Sequence, residues 1–263
     1  MSTYVYGITH ASHPSLTSLP KDVDGVGDPP RPVRVLRQGE LAAVVSDAPE
    51  ELRAKRRDLL AHQRVLDAAG EDGVVLPIRF ASVSPDDETV TSVLAERADH
   101  LLERLRALDG TAEYNLKANH NEEAVLQLVV ADNDEIRSLA RANQQAGGGS
   151  QEDRIRLGEM IAAARQAREA ADADMLQREL GPAAEAVSAA PSSTGWLANL
   201  SFLVDRASAA RFLDAVDQVR RQHPHLELRV TGPLPPYSFV DDASPHAEDT
   251  AQALEGAADQ THG

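Results

Sequence analysis

Cysteine is absent from the 263 residues. That excludes a disulfide framework, a cysteine-based zinc site and a thiol nucleophile. Aromatic residues are scarce, with one Trp, four Tyr and four Phe. No apolar run approaches the roughly 18 residues that a membrane span needs. The opening MSTYVYGITH has no charged segment followed by an apolar one, so no export signal is read there. Basic residues are outnumbered, 26 Lys and Arg against 42 Asp and Glu, for a formal charge of −16. A chain so acidic opposes phosphate neutralisation, and nucleic acid and anionic membrane are not expected partners. Its one basic cluster, Arg53, Lys55, Arg56 and Arg57, spreads around a helix as a solvated face. These absences point to a soluble cytoplasmic protein.

Alanine is abundant instead, at 42 residues. That leaves enough Val and Leu for one or two small cores joined to closely packed or solvated helices. Thr3–Ile8 is β-branched and aromatic and reads as the first strand. Residues 9–32 hold five prolines and read as an irregular loop. Val33–Leu36 and Leu41–Val45 flank Gly39 as a hairpin. A helix is expected over 49–69, capped by Ser46 or Asp47, with Leu52, Leu59 and Leu66 on its buried face. Val74–Phe80 is expected as an edge or bulged strand because of Pro77. Ser84 then caps a helix running to about residue 108.

The first domain boundary is placed at 109. Beyond it come a strand at Glu113–Ala118, helices over 121–145 broken near 132–134, and a flexible joint at Gly147–Ser150. A long helix over 151–190, kinked at Gly181-Pro182, packs through Ile155, Ile161, Met175, Leu176 and Leu180. Strand Trp196–Val204, helix 207–222 and strand Leu226–Thr231 follow. The expected architecture is α+β in two domains. Residues 1–109 form an N-terminal α+β domain. Residues 110–240 form a ferredoxin-like domain with an Ala-rich helical insertion at about 121–190. Residues 241–263 carry six acids and no Lys or Arg, and read as a disordered acidic tail.

Enzymatic motifs do not emerge. Nucleotide-binding glycine loops, the nucleophile elbow and the zinc-protease helix motif are missing. His223-Pro224-His225 is the closest histidine pair, but nothing beside it supplies further ligands, so it reads as a polar turn. His62, on an apolar helical stripe, reads as a half-buried residue bonded to backbone. Neither a catalytic set, a metal site nor a cofactor is nominated, and a binding role is favoured. Gly232-Pro233-Leu234-Pro235-Pro236-Tyr237-Ser238-Phe239 reads as a stiff extended segment, either locking the last strand in place or presenting a partner surface.

That segment is similar to the G-P-W-P-P-Y-S-F signature of the gas vesicle protein F/L family. Tyr4-Val5-Tyr6-Gly7-Ile8 resembles the family's opening strand. His62, Val65 and Leu66 followed by Val75-Leu76-Pro77-Ile78-Arg79-Phe80 resemble its helix and V-L-P-x-R-F-G block. Glu113–Lys117 and Leu200–Val204 resemble two later strands. Leu234 and Tyr114 stand where the family carries tryptophan, and Ala81 where it carries glycine after Arg-Phe. The resemblance implies a non-enzymatic accessory or minor structural protein of gas vesicle assembly. Such a protein is expected to bind the small hydrophobic shell protein and other accessory proteins. It implies motif or partner-binding roles for Tyr4, Tyr6, Pro77, Arg79, Phe80, Gly232, Pro233, Pro236, Tyr237 and Phe239. The alternative is a small-molecule-sensing ferredoxin-like regulator, which rests on fold analogy alone.

Overall fold

The computed structural model describes residues 1–19, 23–50, 52–190 and 195–240; Glu51 and the acidic tail lie outside the described residues. The chain has a mixed α/β fold built on two antiparallel sheets. Its described residues divide into two compact units: those of Met1–Glu113 together with 233–240, and those of Tyr114–Gly232.

The first unit is organised around β1 (Thr3–His10), which is buried at every position but its last. It pairs antiparallel with β3 (Leu41–Asp47), which pairs with β2 (Arg34–Gln38) through the expected hairpin. Gly39 turns that hairpin at φ +57°, a conformation open to glycine at little cost. On its other side β1 meets two short strands, β4 (Leu76–Pro77) and β5 (Val83–Ser84). The expected seven-residue strand is therefore only two residues long. Pro77 does sit at the sheet's edge, where its missing N–H costs nothing.

Continuous burial of β1 follows from covering both faces. Tyr4 and Tyr6 pack with Val65, Leu66 and Ala69 of α1 (Arg56–Ala69). Val5, Val45 and Ile8 are equally buried but outside that cluster. The helices α2 (Asp87–Glu96) and α3 (Ala98–Leu108) pack on β2, β3 and β1. Helix α1 begins seven residues later than expected, with no side-chain cap at Lys55. Its buried face is Asp58, Ala61, His62, Val65, Leu66 and Ala69, whereas Leu59 is 43% exposed. Of the heptad leucines, Leu66 is buried and Leu52 packs half-buried on the core, and only Leu59 faces solvent, because the stripe turns through Asp58, Ala61 and His62 instead. The next helix is capped by Asp86, not Ser84, and breaks at Arg97 into two.

The second unit holds β6 (Thr111–His120), β7 (Ala186–Ala189), β8 (Ala198–Asp205) and β9 (Leu226–Leu234) in the order β7-β8-β6-β9. Helix α7 (Ala209–Gln222) joins β8 to β9. Tyr114, Phe202 and Phe212 stack at 5.1–5.4 Å in its core. Between β6 and β7 run α4 (Glu122–Asp132), α5 (Asp134–Gln145) and α6 (Gln151–Leu180), and the break at 132–134 is where the sequence placed it. Helix α6 ends ten residues early, and Ala186–Ala189 is a strand paired with β8. Alanine favours helix only weakly, and an open sheet edge overrides it. The helices share a small core of Val125, Val129 and Ile136 against Leu157, Met160 and Ile161, while Ile155 is 55% exposed.

Gly7 shows how tight the first unit is. A Cβ there would lie 2.8 Å from Val75 Cγ2, 2.9 Å from Leu66 Cδ2 and 3.0 Å from the Leu76 carbonyl. Gly7→Ala is expected to destabilise the fold by about 1–3 kcal/mol, the usual cost of overpacking, measured by urea denaturation.

Candidate functional site

The motif residues fall into two sets, all in the first unit but Gly232. One is an aromatic cluster on β1. Tyr4 and Tyr6 are fully buried, with ring centroids 4.8 Å apart. His62 stacks on Tyr6 at 5.5 Å, and Phe80 closes edge-on at 5.8 Å from His62. Each hydroxyl reaches partners from distant segments. The Tyr6 oxygen accepts from the Val26 N–H at 2.8 Å and lies 3.0 Å from Ser46 Oγ. Asp58, also buried, accepts from the Gly27 N–H at 3.0 Å. These two side chains hold the irregular loop that the prolines announced, supplying acceptors that no strand provides.

Tyr4 Oη accepts from the Ala81 N–H at 3.2 Å and lies 2.9 Å from His62 Nδ1. Either the hydroxyl donates to Nδ1 or an Nδ1–H donates to the hydroxyl oxygen, according to the tautomer. His62 Nε2 is buried and, among the described residues, has no partner in hydrogen-bond geometry. Burial lowers the imidazole from an ordinary 6.5 to about 4, with the Ile78 backbone opposing weakly. Burial likewise raises both tyrosines. His62 is thus buried where a half-buried residue was expected, and it meets the side chain of Tyr4 as well as the Ile78 backbone. Arg79 is exposed, and among the described residues its side chain makes no hydrogen bond or ion pair with His62.

The second set is the proline-rich segment. It is not extended throughout: β9 runs on to Leu234, and Tyr237–Phe239 forms a short 3-10 turn. Glu113, 4% exposed, accepts from the Ser238 N–H and Oγ, both at 2.8 Å. Arg104 donates to the Phe239 and Val240 carbonyls at 2.7 and 3.2 Å. A buried carboxylate and a guanidinium fold the segment back, which local proline stiffness alone does not reveal. Pro236 and Phe239 point inward, whereas Tyr237 is 39% exposed. Gly232 and Pro233 are exposed on β9, an edge strand that tolerates proline.

In the second unit, His225 is not part of a simple polar turn. His120, Asp172 and His225 bring one ligand-type atom each within 4.8 Å of one another. Burial pushes the Asp172 carboxyl up, but Arg168, His120 and His225 outweigh it and hold the group below its ordinary value. Burial also lowers His225, partly offset by Asp172. The missing ligands come from 53 and 105 residues away in the chain, so local spacing gave no signal. Beside this cluster lies a cavity of about 730 Å³ at the β6–α4 junction, lined by Asn119, His120, Asn121, Glu123, Trp196 and Glu227. Lys117 Nζ and the Arg229 guanidinium lie over the Trp196 ring, 5.6 and 5.8 Å from its centre. Among the described residues no helix is long and apolar enough to cross a membrane.

Two outcomes test the aromatic cluster. His62 has a folded pKa below its unfolded one, so its contribution is intact above about 6.5 and lost as pH falls toward 4. Denaturation of wild type is expected to show a loss of about 2–3 kcal/mol across that window that His62→Gln lacks. Ala81 sits at φ +73°, in the left-handed region. Ala81→Gly, which restores the residue the family pattern carries, is expected to raise stability by about 1 kcal/mol in the same assay.

Comparison with known proteins matches the whole described body. The profile described as gas vesicle synthesis protein GvpL/GvpF matches residues 2–241. Gas vesicle protein F of Streptomyces sp. (strain CB03234) is 58% identical over 241 residues, which is 92% of this chain and 100% of that protein. Gas vesicle protein L of the same organism is 30% identical, over 95% of this chain and 97% of that one. The crystal structure of GvpF from Anabaena sp. PCC7120 superposes with a TM-score of 0.72 at 23% identity, covering 92% of this chain and 97% of that chain. At that identity the structural likeness speaks for the fold alone. With the profile spanning the chain and a relative identical at more than half its positions, this chain belongs to the gas vesicle synthesis protein GvpL/GvpF family.

Proposed function

We propose that this chain is a non-enzymatic accessory or minor structural protein of gas vesicle assembly, acting in the cytoplasm and at the vesicle. It binds the small hydrophobic shell protein and other accessory proteins. Family membership gives it a role in gas vesicle formation, and the 58% identity over the full length of a gas vesicle protein F is the observation that carries the reading. A shell subunit with exposed apolar surface aggregates unless a soluble partner covers it, and a chain of formal charge −16 keeps such a complex dispersed.

The exposure of the motif residues supports a division of labour. Tyr4, Tyr6, Pro77, Phe80, Pro236 and Phe239 are buried or half-buried and serve as framework. Arg79, Gly232, Pro233 and Tyr237 are exposed and are assigned partner contact. Strand β9 is the longer open edge for strand addition, since β4 spans two residues and its apolar side chains face the core. The order β7-β8-β6-β9, with helices after β6 and β8, supports a ferredoxin-like reading of the second unit.

Co-expression with the shell subunit tests the proposal. Soluble shell protein that co-purifies with this chain is expected, and Tyr237→Ser is expected to weaken capture without lowering the Tm. A shell protein that stays equally insoluble, with nothing co-purifying, would overturn it. The cavity at the β6–α4 junction favours a second reading, a small-molecule regulator. That reading predicts a thermal shift with a metabolite and indifference to the shell protein.

A further inference from the structure

Three elements distant in sequence converge in the second unit. His120 ends β6, Asp172 lies in α6, and His225 immediately precedes β9. Their side chains are 3, 4 and 8% exposed. Asp172 Oδ2 lies 2.8 Å from His120 Nε2 and 3.0 Å from His225 Nε2.

Protons alone do not satisfy this arrangement. Arg168 Nη2, which can only donate, lies 3.2 Å from the same His225 Nε2 that faces the carboxylate. If that nitrogen carries a proton, its N–H meets a guanidinium donor. If it does not, its lone pair meets a carboxylate oxygen at 3.0 Å. One of the two contacts is repulsive in either tautomer. His120 Nδ1, on the neighbouring ring, is buried and has no hydrogen-bond partner among the described residues. A cation among the two Nε2 atoms and Oδ2 resolves the clash between His225 and the carboxylate, because all three then point lone pairs at one positive centre; Arg168 Nη2 turns off His225 Nε2, whose lone pair the ion takes.

We propose that His120 Nε2, Asp172 Oδ2 and His225 Nε2 form a site for a first-row divalent transition ion of the zinc type. Two imidazoles and one carboxylate are a donor set that Zn²⁺ favours, with ligand distances of about 2.0–2.2 Å. Widening the present 2.8 and 3.0 Å separations by a few tenths of an ångström seats the ion. Arg168 turns rather than leaves. Its Nε spans the carboxylate, 3.0 Å from Oδ1 and 2.9 Å from Oδ2, and by keeping the Oδ1 bond it serves as the outer partner that orients the carboxylate once Oδ2 binds the ion. Its Nη1 is 3.8 Å from Asp132, a second anchor for its charge. His120 also lines the 730 Å³ cavity, which offers the ion a route in and a water for the fourth position. The ion would fasten α6 to the adjoining ends of β6 and β9. Its role is structural, holding the helical arm on its sheet.

The test uses the untagged full chain, stripped with chelator and titrated with Co²⁺ and then Zn²⁺. One equivalent of Co²⁺ with visible absorption of a low-coordinate site is expected, displaced by Zn²⁺, together with a rise in Tm that saturates at one equivalent. His120→Gln and His225→Gln are expected to weaken binding by at least about 10–100-fold, the loss that even an outer-shell change produces. His223→Gln, on the neighbouring half-buried turn beside Glu179, retains it. Should the ligand variants fold poorly, the imidazole NMR signals of the wild type decide, since only His120 and His225 should shift with the first equivalent. The proposal is overturned if wild type binds no stoichiometric ion, if both ligand variants bind as wild type does, or if other histidines respond instead.

Discussion

A tyrosine hydroxyl buried in a sheet must find hydrogen-bond partners, and two of them stand side by side in β1. Leaving either unpaired would cost on the order of 1–3 kcal/mol. The first unit is arranged so that neither is. Tyr6 draws in the loop at Val26 and the end of β3 at Ser46. Tyr4 draws in α1 through His62 and the turn after β4 through Ala81. The loop, the helix and the turn thus take their positions from two oxygens on one strand. Phe80 and the rings of Tyr4, Tyr6 and His62 then exclude water from those bonds, which strengthens them.

This constraint also explains residues that look unrelated in one dimension. His62 sets its Nδ1 2.9 Å from the Tyr4 oxygen while its ring stacks on Tyr6. Ala81 holds a left-handed backbone because its N–H must reach the Tyr4 oxygen. Glu113 plays the corresponding part for the proline-rich segment, with Arg104 on the carbonyl side. A motif that spans buried anchors and an exposed Tyr237 suits a binding surface held rigidly by its own fold. Such rigidity lowers the entropy lost when a partner docks.

Much of the fold was legible wherever one local signal dominated. The hairpin was visible in Gly39 between two apolar runs. The helix break was visible in Asp132-Asn133-Asp134, where Asn133 caps α5 by accepting from Glu135 and Ile136. Misreadings arose where tertiary contact overrode propensity. Leu59 has the spacing of a core residue, but α1 turns Asp58, Ala61 and His62 inward at that level. Ala186–Ala189 has the composition of a helix, but β8 offers a free edge. The proline-rich segment was read as extended because the carboxylate that folds it stands more than a hundred residues away.

The sequence by itself determined the class of the protein. The strands, the amphipathic helices, the order of the family blocks and the lack of cysteine and of catalytic motifs are properties of neighbouring residues, and short-range physics suffices to read them. Only the tertiary structure decided which motif residues are framework and which face solvent. It alone joined His225 to His120 and Asp172. Burial and ligand geometry depend on side chains tens of residues apart meeting in space, and no periodicity along the chain encodes those meetings.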